Sequence, residues 1–352
     1  MYGGNELKKY DKETIAKVSR VFLADDLKKR SENLKCYYNA CQYKPIDSHS
    51  IQEALLKETI GKSGHVYMQT VQSTVKNLGQ NREEMFSKVP ITQSGVFPGF
   101  CGEKNGKSHD SKLFKSIEID NEVKKTTIEH YAFIYAYRAL IYQMWLENTL
   151  ASKMTDDILT KAKSNQVVDE NVLKHTVDIA SLSMESTDSL EQFNRMKIKF
   201  EGYIKEDGEL SGNISDSFNI DVIELNDWKL EFAGIGARFF SCCKFPICYG
   251  LIPSQYNKPN LFFRVSAKDD SFAHSFLGAI LSQNPTGSIE NLVALSGNIM
   301  LSEELFQNLR SSKEGELHRL IDFIDPDQKE KHYNQYDLIR NHGFRLFREF
   351  IN

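Results

Sequence analysis

Four residues stand out for the chemistry their side chains share: Cys36 and Cys41, then Cys101 and His109. The first pair lies in CYYNAC with four residues between the thiols. That spacing lets one turn aim both sulfurs at a single Zn2+ about 2.3 Å away. Cys101 and His109, at the end of a turn and the start of a helix, add a sulfur and a nitrogen in the manner of a treble clef. Together the four complete a tetrahedral Cys3His set, and structural zinc is the expected cofactor. The remaining cysteines lie in FFSCCKFPIC, where Cys243 and Cys248 repeat the four-residue separation. No second His/Cys pair follows them closely, so they read as buried core thiols. Six cysteines in a chain of 352 residues are expected to be thiols and not a disulfide framework.

The surrounding patterns suggest what positions these donors. Ile15, Val18, Val21, Phe22 and Leu27 recur near helical spacing before the first Cys, predicting one or two amphipathic helices. After Cys41, Ser50 with Glu53 reads as a capping box for a helix whose stripe is Ile51, Ala54, Leu55 and Ile60. A strand is expected over residues 64–71, irregular polar chain over 72–95, and a Pro-containing turn over 95–99 leading to Cys101. A helix starting near His109 carries Leu113, Phe114 and Ile117. Two long helices are predicted over residues 122–162 and 170–204, forming an antiparallel hairpin; the first has Ala132, Tyr135, Ala139, Tyr142 and Leu146 on one face. Strands are expected over 219–225, 229–243 and 261–267, and a final helix over 333–350. The reading is therefore α+β: a zinc module over 1–120, a helical hairpin over 121–206, and an α+β domain over 207–352.

Composition narrows the function classes. Apolar residues make up 40% and charged residues 26% of the chain, and 22 Phe with 15 Tyr supply a large core, which excludes extensive disorder. The net charge of -4 argues against a uniformly basic nucleic-acid coat. Residues 1–120 nevertheless carry 19 Lys/Arg against 15 Asp/Glu, so the positive excess lies beside the zinc ligands. Its densest piece, Lys28, Lys29 and Arg30, reads as a solvated helix face or a phosphate contact. Residues 1–9 lack the apolar run of a signal peptide, and no stretch approaches the ~18 apolar residues of a membrane helix, so a cytoplasmic location without membrane contact is expected. No Walker loop, G-x-S-x-G or dinucleotide fingerprint is present.

A longer pattern surrounds the ligands: Ile46, Ser48, His49 and Ile51; Gly64, His65 and Val66; Gly99, Phe100 and Cys101; then His109, Asp110, Leu113, Phe114, Ile117 and Glu118. Over residues 36–118 this resembles a group of uncharacterised bacterial zinc-binding proteins, with a weaker echo in YAFIYAYRALIYQMW. The chain departs from their pattern in placing seven residues between Cys101 and His109, where they have two. The order of Cys pair, Ser-His, Phe-Cys and His-Asp is also similar to HNH, or His-Me finger, nucleases. That likeness implies a metal-dependent nuclease of the bacterial defence type, acting on DNA or RNA. His49 would activate water, and Asp110 would hold Mg2+ or Mn2+ beside the structural zinc. Ser48 stands where such enzymes usually carry an acid, and Asp110 replaces a histidine.

Each of these residues has a plainer reading. His49 could hydrogen-bond the start of the following helix or serve as an alternative zinc ligand. His65 reads as a satisfied strand residue, and Arg138, inside an apolar helix, must pair with an acid such as Glu129 or reach water. His318, Arg319, Arg340, Asn341 and His342 match no helix-borne motif. The competing function is a zinc-stabilised binding protein without catalysis, acting on a partner protein.

Overall fold

The computed structural model describes residues 34–70, 82–102, 108–114, 127–163, 186–205, 207–225, 228–240, 242–253, 260–324 and 338–349. The helices expected before Cys36, with the basic run at Lys28, Lys29 and Arg30, lie outside these residues, as do the connection over 164–168 and Ile117 and Glu118.

The architecture is mixed α+β, centred on a seven-stranded antiparallel sheet. In chain order the strands are β1 (Pro45–His49), β2 (His65–Gln69), β3 (Phe86–Pro90), β4 (Val96–Cys101), β5 (Phe218–Leu225), β6 (Trp228–Lys229), β7 (Phe232–Arg238), β8 (Ile247–Ile252), β9 (Asn260–Ala267), β10 (Met300–Leu301) and β11 (Arg348–Glu349). The helices are α1 (Glu53–Glu58), α2 (His109–Phe114), α3 (Ile128–Lys163), α4 (Ser186–Glu201), α5 (Ser271–Gln283), α6 (Pro285–Ala294), α7 (Glu303–Ser311) and α8 (Glu316–Ile324). The large sheet runs β3-β2-β10-β7-β8-β9-β5, while β1 pairs with β4, and β6 with β11, in two-stranded ladders. Strands from both ends of the sequence therefore share one sheet. The joint is β10, where Met300 faces Met68 on one side and Ala233 on the other.

Strand alternation sorts the core onto two faces. On one face, Val66, Ala233, Ile235, Phe263 and Val265 pack with α3. On the other, Phe232, Tyr249, Leu251 and Phe262 pack with apolar residues of α5 to α8. The middle of α3 is buried on every side, from Ala132 to Tyr142, and not along the single face that the spacing suggested. It has the sheet against one flank, β4 against another, and Phe200 of α4 within 4.7 Å of the Phe133 ring. Arg138 in this segment does not reach water: it is 4% exposed, and its guanidinium carbon lies 3.6 Å from the centre of the Phe114 ring. No helix among the described residues is long and apolar enough to cross a membrane.

Several local expectations are corrected. Ser50 caps no helix; α1 starts at Glu53 after Gln52, which makes no side-chain cap. The Ser50 hydroxyl instead accepts from Asn298 Nδ2 at 2.6 Å, a tertiary bond between two buried residues that outweighs the local capping option. Within the stretch read as irregular, residues 86–90 form β3, because FSKVP finds a complete ladder on β2. The predicted turn before Cys101 is mostly strand: β4 pairs with β1 and tolerates Pro98 because this ladder is only two strands wide. Gly95 does turn the chain, at a positive φ of 60°, and an added Cβ there would collide with Ser50 and Met300. Strand 229–243 is two strands broken at Leu230 and Glu231, β8 is additional, and the described part of 333–350 ends in β11 and not in a helix.

Candidate metal centre

The donors converge. Sγ atoms of Cys36, Cys41 and Cys101 and a ring nitrogen of His109 all lie within 4.8 Å of one another. His109 Nδ1 is 3.3 Å from Cys36 Sγ and 3.3 Å from Cys101 Sγ. Any two donors at the corners of a zinc tetrahedron are about 3.5–3.8 Å apart, given Zn–S near 2.3 Å and Zn–N near 2.0 Å. The set fits a single ion of that size with only small side-chain adjustments.

Three elements make this meeting possible. Cys36 N–H donates to the Tyr43 carbonyl at 2.9 Å and Cys41 N–H to the Tyr38 carbonyl at 2.9 Å, so the Cys pair sits on one tight loop. Asn39 and Ala40 at its tip have φ of 39° and 54°, the left-handed values needed to double the chain back. Cys101 ends β4 and is paired with Pro45 of β1, while His109 opens α2. The seven residues between Cys101 and His109 therefore do not prevent His109 from joining the thiols.

Two residues not singled out from the sequence hold the loop in place. Glu201, the last residue of α4, accepts from Asn39 N–H at 3.0 Å and from the Tyr137 hydroxyl at 2.7 Å, and pairs with Lys197 at 2.7 Å. Tyr38 donates its hydroxyl to the Ile204 carbonyl at 2.9 Å, and its ring lies 4.7 Å from the His109 imidazole. No spacing rule links a Cys loop to a residue 160 positions away, so these partners were invisible in the sequence.

Burial pushes the Cys36 and Cys101 thiols upward, with the neighbouring sulfurs adding to the effect. Without a cation the Cys36 and Cys101 thiols keep their protons at pH 7. A divalent ion reverses the balance, because it is the largest local charge and stabilises thiolates outright.

His49 ends β1, where it pairs with Val96, and its Nε2 is buried 3.9 Å from Glu53 Oε2. Burial lowers its pKa, Glu53 opposes that shift, and Arg138 reinforces it, so the imidazole is neutral at pH 7. Asp110 lies in the first turn of α2, one residue beyond His109, with its Oδ1 buried and outside any hydrogen bond. No hydrogen bond or ion pair joins it to His49. Among the described residues, the Cys3His group is the only convergence of three or more His, Cys, Asp or Glu donors. Cys248 is wholly buried and Cys243 nearly so, as core thiols should be. His65 Nδ1 contacts the Ser63 carbonyl at 3.3 Å; His318 pairs with Glu83 at 3.8 Å, Arg319 with the Gly343 carbonyl at 3.4 Å, and His342 packs 4.2 Å from the Phe323 ring.

Compared with protein-family models, curated proteins and solved structures, the chain matches none.

Proposed function

We propose that the Cys3His cluster holds one structural zinc ion, and that the loop, the β1–β4 pair and α2 around it form a treble clef of the HNH type acting on nucleic acid. The observation that carries the reading is the placement of donors by three consecutive devices: a left-handed loop with two thiols, a strand end with the third, and a helix start with the imidazole. In that frame His49 lies on the strand and Asp110 on the helix. A neutral imidazole with a depressed pKa is the state that takes a proton from water. Asp110 Oδ1, buried and without a hydrogen-bond partner, is the oxygen expected to bind a divalent ion. Such an ion would supply charge stabilisation for the leaving oxygen of a phosphodiester. The substrate class is DNA or RNA.

A second reading has its own support. His49 already faces Glu53 at 3.9 Å, and no third acidic or imidazole donor converges on Asp110 among the described residues. A zinc-stabilised binding protein needs neither residue for catalysis. The discriminating experiment is cleavage of single- and double-stranded DNA and RNA with Mg2+ or Mn2+ by the wild type, His49→Ala and Asp110→Ala. The nuclease reading expects each variant to keep its zinc and lose at least ~10²-fold in rate. Wild-type protein inert on all substrates would leave the binding reading standing.

A further inference from the structure

The turn between β7 and β8 carries two adjacent cysteines, Cys242 and Cys243, remote in sequence from the Cys3His cluster. Neighbouring side chains of an extended strand point to opposite faces. Here the chain is not extended: Cys243 N–H donates to the Phe240 carbonyl at 2.8 Å, closing a turn, and the two Sγ atoms lie 3.9 Å apart. The turn is braced from outside. Asp270 Oδ2 accepts from Lys244 N–H at 2.6 Å and Phe245 N–H at 3.1 Å, and its Oδ1 caps α5 by accepting from Ala273 N–H at 3.1 Å. Cys242 is exposed, whereas Cys243 is 6% exposed and packs in the core.

This geometry suits one class of ligand. The separation is well beyond the ~2.05 Å of a disulfide. It is short enough for both sulfurs to bond one soft centre, and sulfur donors select soft acceptors over hard ones. We propose that Cys242 and Cys243 form a vicinal dithiol site for a soft, thiophilic trivalent metalloid, with trivalent arsenic as its type. The accessible Cys242 thiol reacts first, and Cys243, held one peptide away, then closes the ring as an intramolecular step with the advantage of high effective concentration. For an arsenoxide R–As=O, two As–S bonds form while two S–H bonds and the As=O bond break. Both protons leave with the oxygen as one water molecule, and no atom changes oxidation state. Cys248 takes no part, being fully buried within β8.

The test uses the full-length protein as purified, phenylarsine oxide as the probe, and intact-mass and zinc measurements as readouts. One phenylarsenic adduct per chain should form, survive excess 2-mercaptoethanol and be reversed by a dithiol, the signature of two-sulfur attachment. It should be absent from Cys242→Ser, whose exposed position leaves the fold intact by circular dichroism, and persist in Cys248→Ala. An adduct stripped by the monothiol, one that survives in Cys242→Ser, or one that forms only with release of bound zinc overturns the assignment.

Discussion

Replacing Cys101 by Ser tests the metal centre where the donor set is most constrained. Cys101 is 1% exposed at the end of β4, and its sulfur is 3.3 Å from His109 Nδ1. Serine keeps the size of the side chain but not a thiolate at neutral pH. A closed structural zinc site contributes about 10–16 kcal/mol to the folding of its module. Loss of even a third of that is about 3–5 kcal/mol, a large fraction of the roughly 5–15 kcal/mol margin of an ordinary domain. Spread over a cooperative unit, it corresponds to a fall in Tm of about 6–20 °C, with longer chains at the lower end. The fall should not stay local. Cys36, Phe100 and Cys101 belong to the same apolar cluster as Tyr135 of α3 and Ile235 of the central sheet. The assay is bound zinc per chain by elemental analysis together with a thermal melt. Wild type should hold about one zinc, Cys101→Ser well below one, and Cys243→Ser should match the wild type. A chelator should lower the wild-type melt toward that of the variant and leave the variant nearly unmoved. Zinc binding should also weaken on acidification, because protons compete with the ion for each thiolate. A metal-free wild type that melts normally would refute the reasoning, as would zinc lost from Cys243→Ser.

Two further outcomes follow from contacts around the site. The buried bond from Asn298 Nδ2 to Ser50 Oγ should give a coupling of about 1 kcal/mol in a double-mutant cycle of Ser50→Ala and Asn298→Ala, read by denaturant unfolding; additive effects would deny the bond. His49 has a folded pKa below its ordinary 6.5, with Glu53 and Arg138 as its charged neighbours. The unfolded chain thus binds the extra proton first, so the stability this group contributes is present above pH ~6.5 and lost as pH falls toward the folded value. His49→Gln should flatten that limb of the stability profile, and an unchanged limb would assign the dependence to other groups.

What the sequence disclosed was the part governed by short-range spacing. Two thiols four residues apart require one loop, and a helix beginning at His109 can be read from Leu113 and Phe114 alone. The strands over 219–225 and 261–267 announced themselves by β-branched and aromatic residues and appear as β5 and β9. What stayed hidden depended on distant partners. The chain over 86–90 is a strand only because β2 offers it a ladder, and Ser50 abandons helix capping only because Asn298 arrives 248 residues later. For three of the helices α5 to α8 the local signal is a cap, since Asp270, Asn284 and Ser302 each accept a backbone N–H with a side-chain oxygen at the helix start.

The two-residue strand β10 also bears on how the chain is made. Among the described residues, β2 and β3 join the rest of the central sheet through Met300 and Leu301 of β10. During synthesis from the N-terminus, β2 emerges more than 200 residues before that partner. Until then its edge is open, displaying the unpaired backbone groups that invite pairing with other chains. The sheet is completed only once Met300 and Leu301 have been made. A chain arrested before residue 300 would leave that edge of β2 without its partner strand.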